Sequence, residues 1–93
     1  MFAINQYFDG NVASIAFQSE TLPATVGVMA IGDYAFDTSQ RETMSVVSGT
    51  MNVKLPDSSD WQLFTAGQSF IVAANKTFDL QITVETAYLC TYG

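Results

Sequence analysis

Between Thr77 and Val84 the apolar residues Phe78, Leu80, Ile82 and Val84 alternate with Thr77, Asp79, Gln81 and Thr83. A period of two marks a half-buried β-strand, because successive side chains leave opposite faces. Met51, Val53 and Leu55 alternate with Thr50, Asn52 and Lys54 in the same way. Upstream, Met44 and Val46 hold even positions, whereas after Gly49 the apolar set moves to odd ones. A one-residue change of phase inverts the faces, so Ser48-Gly49 is expected to be a tight turn or a bulge between two strands.

Turn chemistry recurs at short intervals: Asp9-Gly10-Asn11, Leu22-Pro23, Ile31-Gly32-Asp33, Thr38 to Arg41, Pro56 to Asp60, Ala66-Gly67 and Ala74-Asn75-Lys76. The intervening segments Val12–Phe17, Thr25–Ile31, Tyr34–Phe36, Trp61–Phe64, Ser69–Val72 and Ala87–Tyr92 are short and rich in β-branched and aromatic residues. No window of a dozen residues keeps a helical period with helix formers. About eight evenly spaced strands in a small chain predict an all-β barrel or double-sheet sandwich, which closes most of the exposed edges.

The 93 residues allow one domain, 1–93, with no linker or repeat. With 48% hydrophobic and 13% charged residues the chain is too apolar to be disordered. A chain this short builds only a thin core, and its positive mean hydropathy implies apolar surface covered by a second copy. Nine acids against three bases (Arg41, Lys54, Lys76) give a net charge of −6. Nucleic acid and anionic membrane surfaces are therefore poor partners. The lone Cys90 has no internal disulfide partner and fits a reducing, cytoplasmic compartment. The opening MFAINQYFDG has neither the basic start nor the apolar stretch of a signal peptide, and the longest apolar run, Phe70 to Ala74, is far below a membrane span.

Absences narrow the chemistry. Without histidine, Ser–His and Cys–His relays and His-based metal sites are excluded. No Gly-rich phosphate loop is present. The acids Asp33, Asp37 and Glu42 come nearest to a carboxylate cluster, a pattern commoner among solvated turns. Cys90 lies in Tyr88-Leu89-Cys90-Thr91-Tyr92 without a cation to activate it, so it reads as a buried structural thiol. Trp61, after a polar loop, reads as an anchor for a strand start or subunit contact. Arg41 is a planar, permanently charged fork suited to phosphate or carboxylate, although local pairing with Glu42 is the plainer reading. Chemistry alone therefore reaches a small β-barrel or sandwich able to hold a small ligand.

Gly32, then Glu42-TMSVVS-Gly49, followed by Gly67-QSFIV-Ala73, resembles the two motifs of the cupins. Thr38 and Gln40 stand where that pattern places metal-binding histidines, Phe78 stands at the second-motif histidine, and Ala73 replaces a proline. These departures run against the usual cupin metal. A closer resemblance spans about Tyr7 to Tyr92. The strings NQYFDGNVASIAF, VGVMAIGDYAF, MSVVSGTMNVKLPDSSDWQ, AGQSF and AYLCTY together are similar to the small cupin-like pyrimidine/purine nucleoside phosphorylases. That resemblance implies a jelly-roll β-barrel and a homodimer. It also implies pentosyl transfer from a purine or pyrimidine ribonucleoside to inorganic phosphate, giving free base and ribose 1-phosphate. Phosphate is then a co-substrate, and no further cofactor is expected.

Glycosidic cleavage through an oxocarbenium-like state needs phosphate under the ring, a grip on the ribose hydroxyls and a stabilised leaving base. If strand alternation persists, Tyr34, Phe36, Thr38 and Gln40 share one face, and Phe78 and Leu80 also point inward. On that basis Phe36 and Phe78 are expected to stack the base. Thr38, Gln40 and backbone N–H groups, with Arg41, are expected to meet phosphate, and Glu42 to hold the ribose hydroxyls. Arg41→Ala is then expected to raise the Michaelis constant for phosphate. A non-catalytic metabolite-binding cupin is the alternative.

Overall fold

The structure is a computed structural model that describes Met1–Gly93. Ten strands follow one another: β1 (Ile4–Tyr7), β2 (Val12–Gln18), β3 (Pro23–Met29), β4 (Gly32–Asp37), β5 (Glu42–Ser48), β6 (Thr50–Lys54), β7 (Trp61–Thr65), β8 (Ser69–Val72), β9 (Thr77–Ile82) and β10 (Thr86–Tyr92). Every pairing is antiparallel. A six-stranded sheet runs β1-β2-β3-β10-β5-β8 and a four-stranded sheet runs β4-β9-β6-β7. The two face each other as an all-β jelly roll, the architecture expected for short, alternating strands.

The phase change at Gly49 is the point where the chain crosses between sheets. Met44 and Val46 on β5 enter the core from the larger sheet, and Met51 and Val53 on β6 enter it from the smaller one. Of the two forms expected the crossing takes the bulge, followed by a bend at Gly49. Gly49 adopts φ +96°, and opposite it the register passes from Ala87↔Ser48 to Tyr88↔Val46, leaving Val47 as the extra residue of a bulge. A Cβ on Gly49 would lie 2.4 Å from the Thr86 hydroxyl oxygen and 2.9 Å from the Glu85 carbonyl, so the corner has no room for a side chain.

Only 20 of the 93 residues are buried, so the core is a single layer between the sheets. Several boundaries differ from those read in the sequence. The alternation ending at Val84 outruns its strand: β9 stops at Ile82, where its partner β4 begins at Gly32, and Val84 is exposed on the way to the other sheet. β3 likewise ends at Met29 and leaves Ile31 exposed. Edge strand β1 has no pronounced pattern of its own and is held through its pairing with β2. Its turn starts one residue earlier than Asp-Gly indicates, with Phe8 and Asp9 both left-handed at φ 53° and 58°. The rings of Tyr34 and Phe36, 5.0 and 5.4 Å from that of Phe8, hold this strained corner against the barrel.

Candidate active site

The inner face of the larger sheet carries a row built around a missing side chain. Ser14 on β2 and Tyr88 on β10 both stand opposite Gly27 on β3. A Cβ at Gly27 would fall 2.7 Å from the Tyr88 hydroxyl, 2.8 Å from its Cζ and 2.6 Å from the Ala13 carbonyl oxygen. The tyrosine ring therefore crosses over the glycine, with its hydroxyl directed to the β2 side of the sheet where Ser14 stands. The bulge at Val47 sits beside Tyr88 on its other flank, a device that re-aims side chains next to sites.

In front of this row is a cavity of about 230 Å³ between the two sheets. Its wall on the larger sheet carries Ser14, Tyr88, Cys90 and Tyr92, with Glu42, Met44 and Met29 beside them. Its opposite wall carries Phe36 and Phe78, whose rings stack at 5.8 Å and 26°. Phe78 is buried behind the half-buried Phe36 and is propped edge-on by Phe70 at 6.0 Å. The exposed residues Tyr7 and Asp37 mark the mouth, and Asp37 accepts a hydrogen bond from the Thr77 hydroxyl.

The ionisable groups of this wall are acids, and no cation lines it. Burial raises the Glu42 carboxyl above its ordinary value, partly offset by the Cys90 thiol, which donates to Glu42 Oε1 at 3.5 Å. Burial and then the charge of Glu42 push the Cys90 thiol up to about 12. Tyr88 is pushed up to about 12 by burial, and Tyr92 is raised for the same reason while its hydroxyl sits 3.0 Å from that of Thr25. At neutral pH the larger sheet therefore offers neutral O–H and S–H groups around one carboxyl. Cys90 is a protonated thiol, neither a nucleophile nor a metal ligand.

Of the expected site residues, the structure brings Phe36, Glu42 and Phe78 together on the cavity wall. It does not bring the other three there. Thr38 is buried at a loop junction, where its hydroxyl donates to the carbonyls of Ala73 (2.7 Å) and Lys76 (3.2 Å) and accepts from the Lys76 N–H (3.0 Å). Gln40 is exposed outside the cavity, and Arg41 is also exposed, its guanidinium reaching the Gly93 carbonyl at 3.4 Å. The face read as Tyr34, Phe36, Thr38 and Gln40 breaks because β4 ends at Asp37. A cupin metal does not fit here. Of the positions that would ligate one, Thr38 is spent on backbone, Gln40 faces solvent, Phe78 has no donor, and Glu42 alone remains.

Sequence reasoning missed Tyr7, Ser14, Tyr88 and Tyr92. Two signals were available. Gly27 interrupts the β-branched run Thr25, Val26 and Val28, and an isolated strand glycine marks a close approach. The alternation of Tyr88, Cys90 and Tyr92 also places all three on one face.

These features define a cupin-like jelly roll with a histidine-free donor set in its cup. Its solved likenesses include an RmlC-like cupin from Shewanella frigidimarina, at TM-score 0.77 and 18% identity, covering 99% of this chain and 83% of that one. A protein of unknown function from Vibrio parahaemolyticus matches at TM-score 0.95 and 41% identity, over 100% of this chain and 99% of that one. The family model described as pyrimidine/purine nucleoside phosphorylase matches residues 2–92, and the chain belongs to that family. A relative of that name from Hahella chejuensis is 62% identical over the whole of both chains.

Proposed function

We propose that this protein is a nucleoside phosphorylase of broad base specificity, transferring the ribosyl group of purine and pyrimidine nucleosides to inorganic phosphate. The observation that carries the reading is the two-sided cup: an aromatic wall on one sheet faces a carboxyl and hydroxyl wall on the other. Family membership supports the same chemistry.

A phosphate oxygen attacks the anomeric carbon while the bond to the base nitrogen breaks, its electron pair leaving with the base, which takes up the proton that the hydrogen phosphate gives up. Phe36, backed by Phe78, stacks the base. Glu42 accepts hydrogen bonds from ribose hydroxyls, and the Cys90 thiol fixes its carboxyl orientation. Holding two reactants in register contributes about 7–11 kcal/mol, so a site without a dedicated proton donor still accelerates the reaction, though slowly. At about 230 Å³ the cavity is smaller than the ~300–1,000 Å³ of common ligand pockets. Part of the base therefore stays at the mouth, where its size is not measured, which accounts for tolerance of both base classes.

A homodimer is part of this reading. The outward positions of the larger sheet, including Ile4, Ile15, Val26, Val28, Val47 and Ile71, are exposed and carry no charge, although the chain is strongly acidic. The outer face of the smaller sheet carries Asp33, Asp79 and Lys54 instead. Six strands present a face on the order of 500 Å² per copy, and two such faces reach the ~1,000 Å² of a small specific interface. The free, buried Cys90 supports a reducing cytoplasm as the setting.

Incubation with inosine or uridine, with and without phosphate, tests the activity. Free base that forms only with phosphate is expected. Release without phosphate would mean a hydrolase, and no release would leave a metabolite-binding module.

A further inference from the structure

We propose that the Ser14–Tyr88 hydroxyl pair, set over Gly27, is the phosphate subsite, and that phosphate is held there by neutral donors rather than by Arg41. The inference rests on the phosphorylase reading and assigns the second substrate to a wall of the same cavity.

Three observations converge. The first is stereochemical. An attacking oxygen and a departing base occupy opposite faces of the sugar ring. The aromatic wall of Phe36 and Phe78 belongs to the four-stranded sheet, so the attacking phosphate lies against the six-stranded sheet. The second is chemical. Glu42 can only repel an anion while ionised, and the remaining polar atoms on that wall are hydroxyls and a thiol. Tyr88 and Ser14 are the pair brought side by side, and both hydroxyls rotate to donate toward a common oxyanion. Tyr92 pairs with Thr25, which does not line the cavity, so that pair offers only one hydroxyl, and the Cys90 thiol donates to Glu42. The third is constructional. Tyr88 lies flat on the wall only because Gly27 has no Cβ, and the bulge at Val47 sets its approach. A strand glycine and a bulge at one tyrosine locate its hydroxyl more narrowly than packing a ring would require.

Arg41 is the competing candidate by charge. Its guanidinium is exposed and turned to the Gly93 carbonyl, outside the cavity. A site of neutral donors also differs from an arginine site in its response to salt, because ion pairs are screened and hydrogen bonds from hydroxyls are much less so.

The test is steady-state kinetics of Tyr88→Phe, Ser14→Ala and Arg41→Ala with phosphate and uridine varied separately. Phosphate binding alone is followed in parallel by phosphorus NMR at low and high sodium chloride. A lost hydrogen bond to a charged group predicts a roughly ten- to hundredfold rise in the phosphate KM for Tyr88→Phe, with the uridine KM within about twofold. Ser14→Ala is expected to shift the phosphate KM in the same direction, Arg41→Ala to leave it unchanged, and salt not to weaken phosphate binding, because in an acidic site without cations it screens repulsion. Unchanged phosphate KM in both Tyr88→Phe and Ser14→Ala, or a rise confined to Arg41→Ala, overturns the inference while the phosphorylase reading stands. If no nucleoside is cleaved but Tyr88→Phe still weakens phosphate binding, the subsite survives and the phosphorylase reading falls. Should Tyr88→Phe fail to fold, Ser14→Ala decides by the same measurements.

Discussion

Gly27 and Tyr88 are partners across the β3–β10 ladder, and the tyrosine ring fills the volume that any side chain at position 27 would need. Two backbones and one aromatic ring thus share a space that admits no methyl group. The cavity wall is consequently sensitive at a residue that touches no ligand. Gly27→Ala is expected to destabilise the fold by about 1–3 kcal/mol through overpacking. It is also expected to lower kcat/KM for phosphorolysis at least about tenfold, because Tyr88 must turn away or the strand must shift. Denaturant unfolding and kinetics on the same preparation check this, and wild-type values in both would contradict it.

Glu42 makes stability depend on pH. Burial raises its native pKa above the 4.5 of the unfolded chain, so the neutral carboxyl is favoured in the fold. Its contribution is complete below that value and is lost as pH rises through the raised native one. Glu42→Gln is therefore expected to gain stability relative to the unmodified protein as pH rises from about 4.5 toward neutrality, while losing activity. Unfolding free energies of the two proteins measured across that range give the difference directly. A difference that does not change with pH would show that Glu42 titrates normally.

Cys90 and Tyr88 act the same way at alkaline pH. Both are raised to about 12, from 9.0 and 10.0, so the unfolded chain releases their protons first. Stability is expected to fall between about pH 9 and 12, and Cys90→Ala to flatten part of that slope. Below pH 9 the native thiol should resist a thiol reagent that labels the unfolded chain at once. Rapid labelling of the folded protein would contradict the burial of this group.

The uncharged outer face gives a separate prediction. Val28 is 51% exposed on β3, a central strand of that face. On the proposed dimer, the unmodified chain is expected to sediment as a dimer and Val28→Lys as a monomer, since an unpaired buried charge is not tolerated in an apolar interface. Asp79→Lys, on the opposite outer face, should leave association intact. Equal sedimentation of all three as dimers would move the interface elsewhere, and as monomers would contradict the dimer.

Much of this architecture was legible because alternation reports which face of a strand meets the core. The phase change at Gly49 located the crossing between sheets, and the turn residues located most connections. The same alternation puts Phe36 and Phe78 on one inward face, and the structure has both lining the cavity, with Glu42 on the opposite wall. Thr38 was misread because alternation was extended past Asp37, where the strand stops and the hydroxyl turns to backbone carbonyls. Arg41 drew attention through its charge, yet charge in a sequence carries no direction. Ser14, Tyr88 and Tyr92 remained hidden because they come from β2 and β10, and only the pairing of both strands with β3 brings them to one cavity. Registers between strands distant in the chain depend on tertiary contacts that a local pattern does not encode.

The central claim is that this histidine-free cup joins phosphate to ribose as the base departs. Phosphorus NMR of the protein with uridine and inorganic phosphate observes that bond as it forms. A ribose 1-phosphate resonance growing in equal amount with free uracil, and slowed by Glu42→Gln and Tyr88→Phe, is the expected result. Uracil without the phosphate ester, or neither product from uridine or inosine, would contradict it.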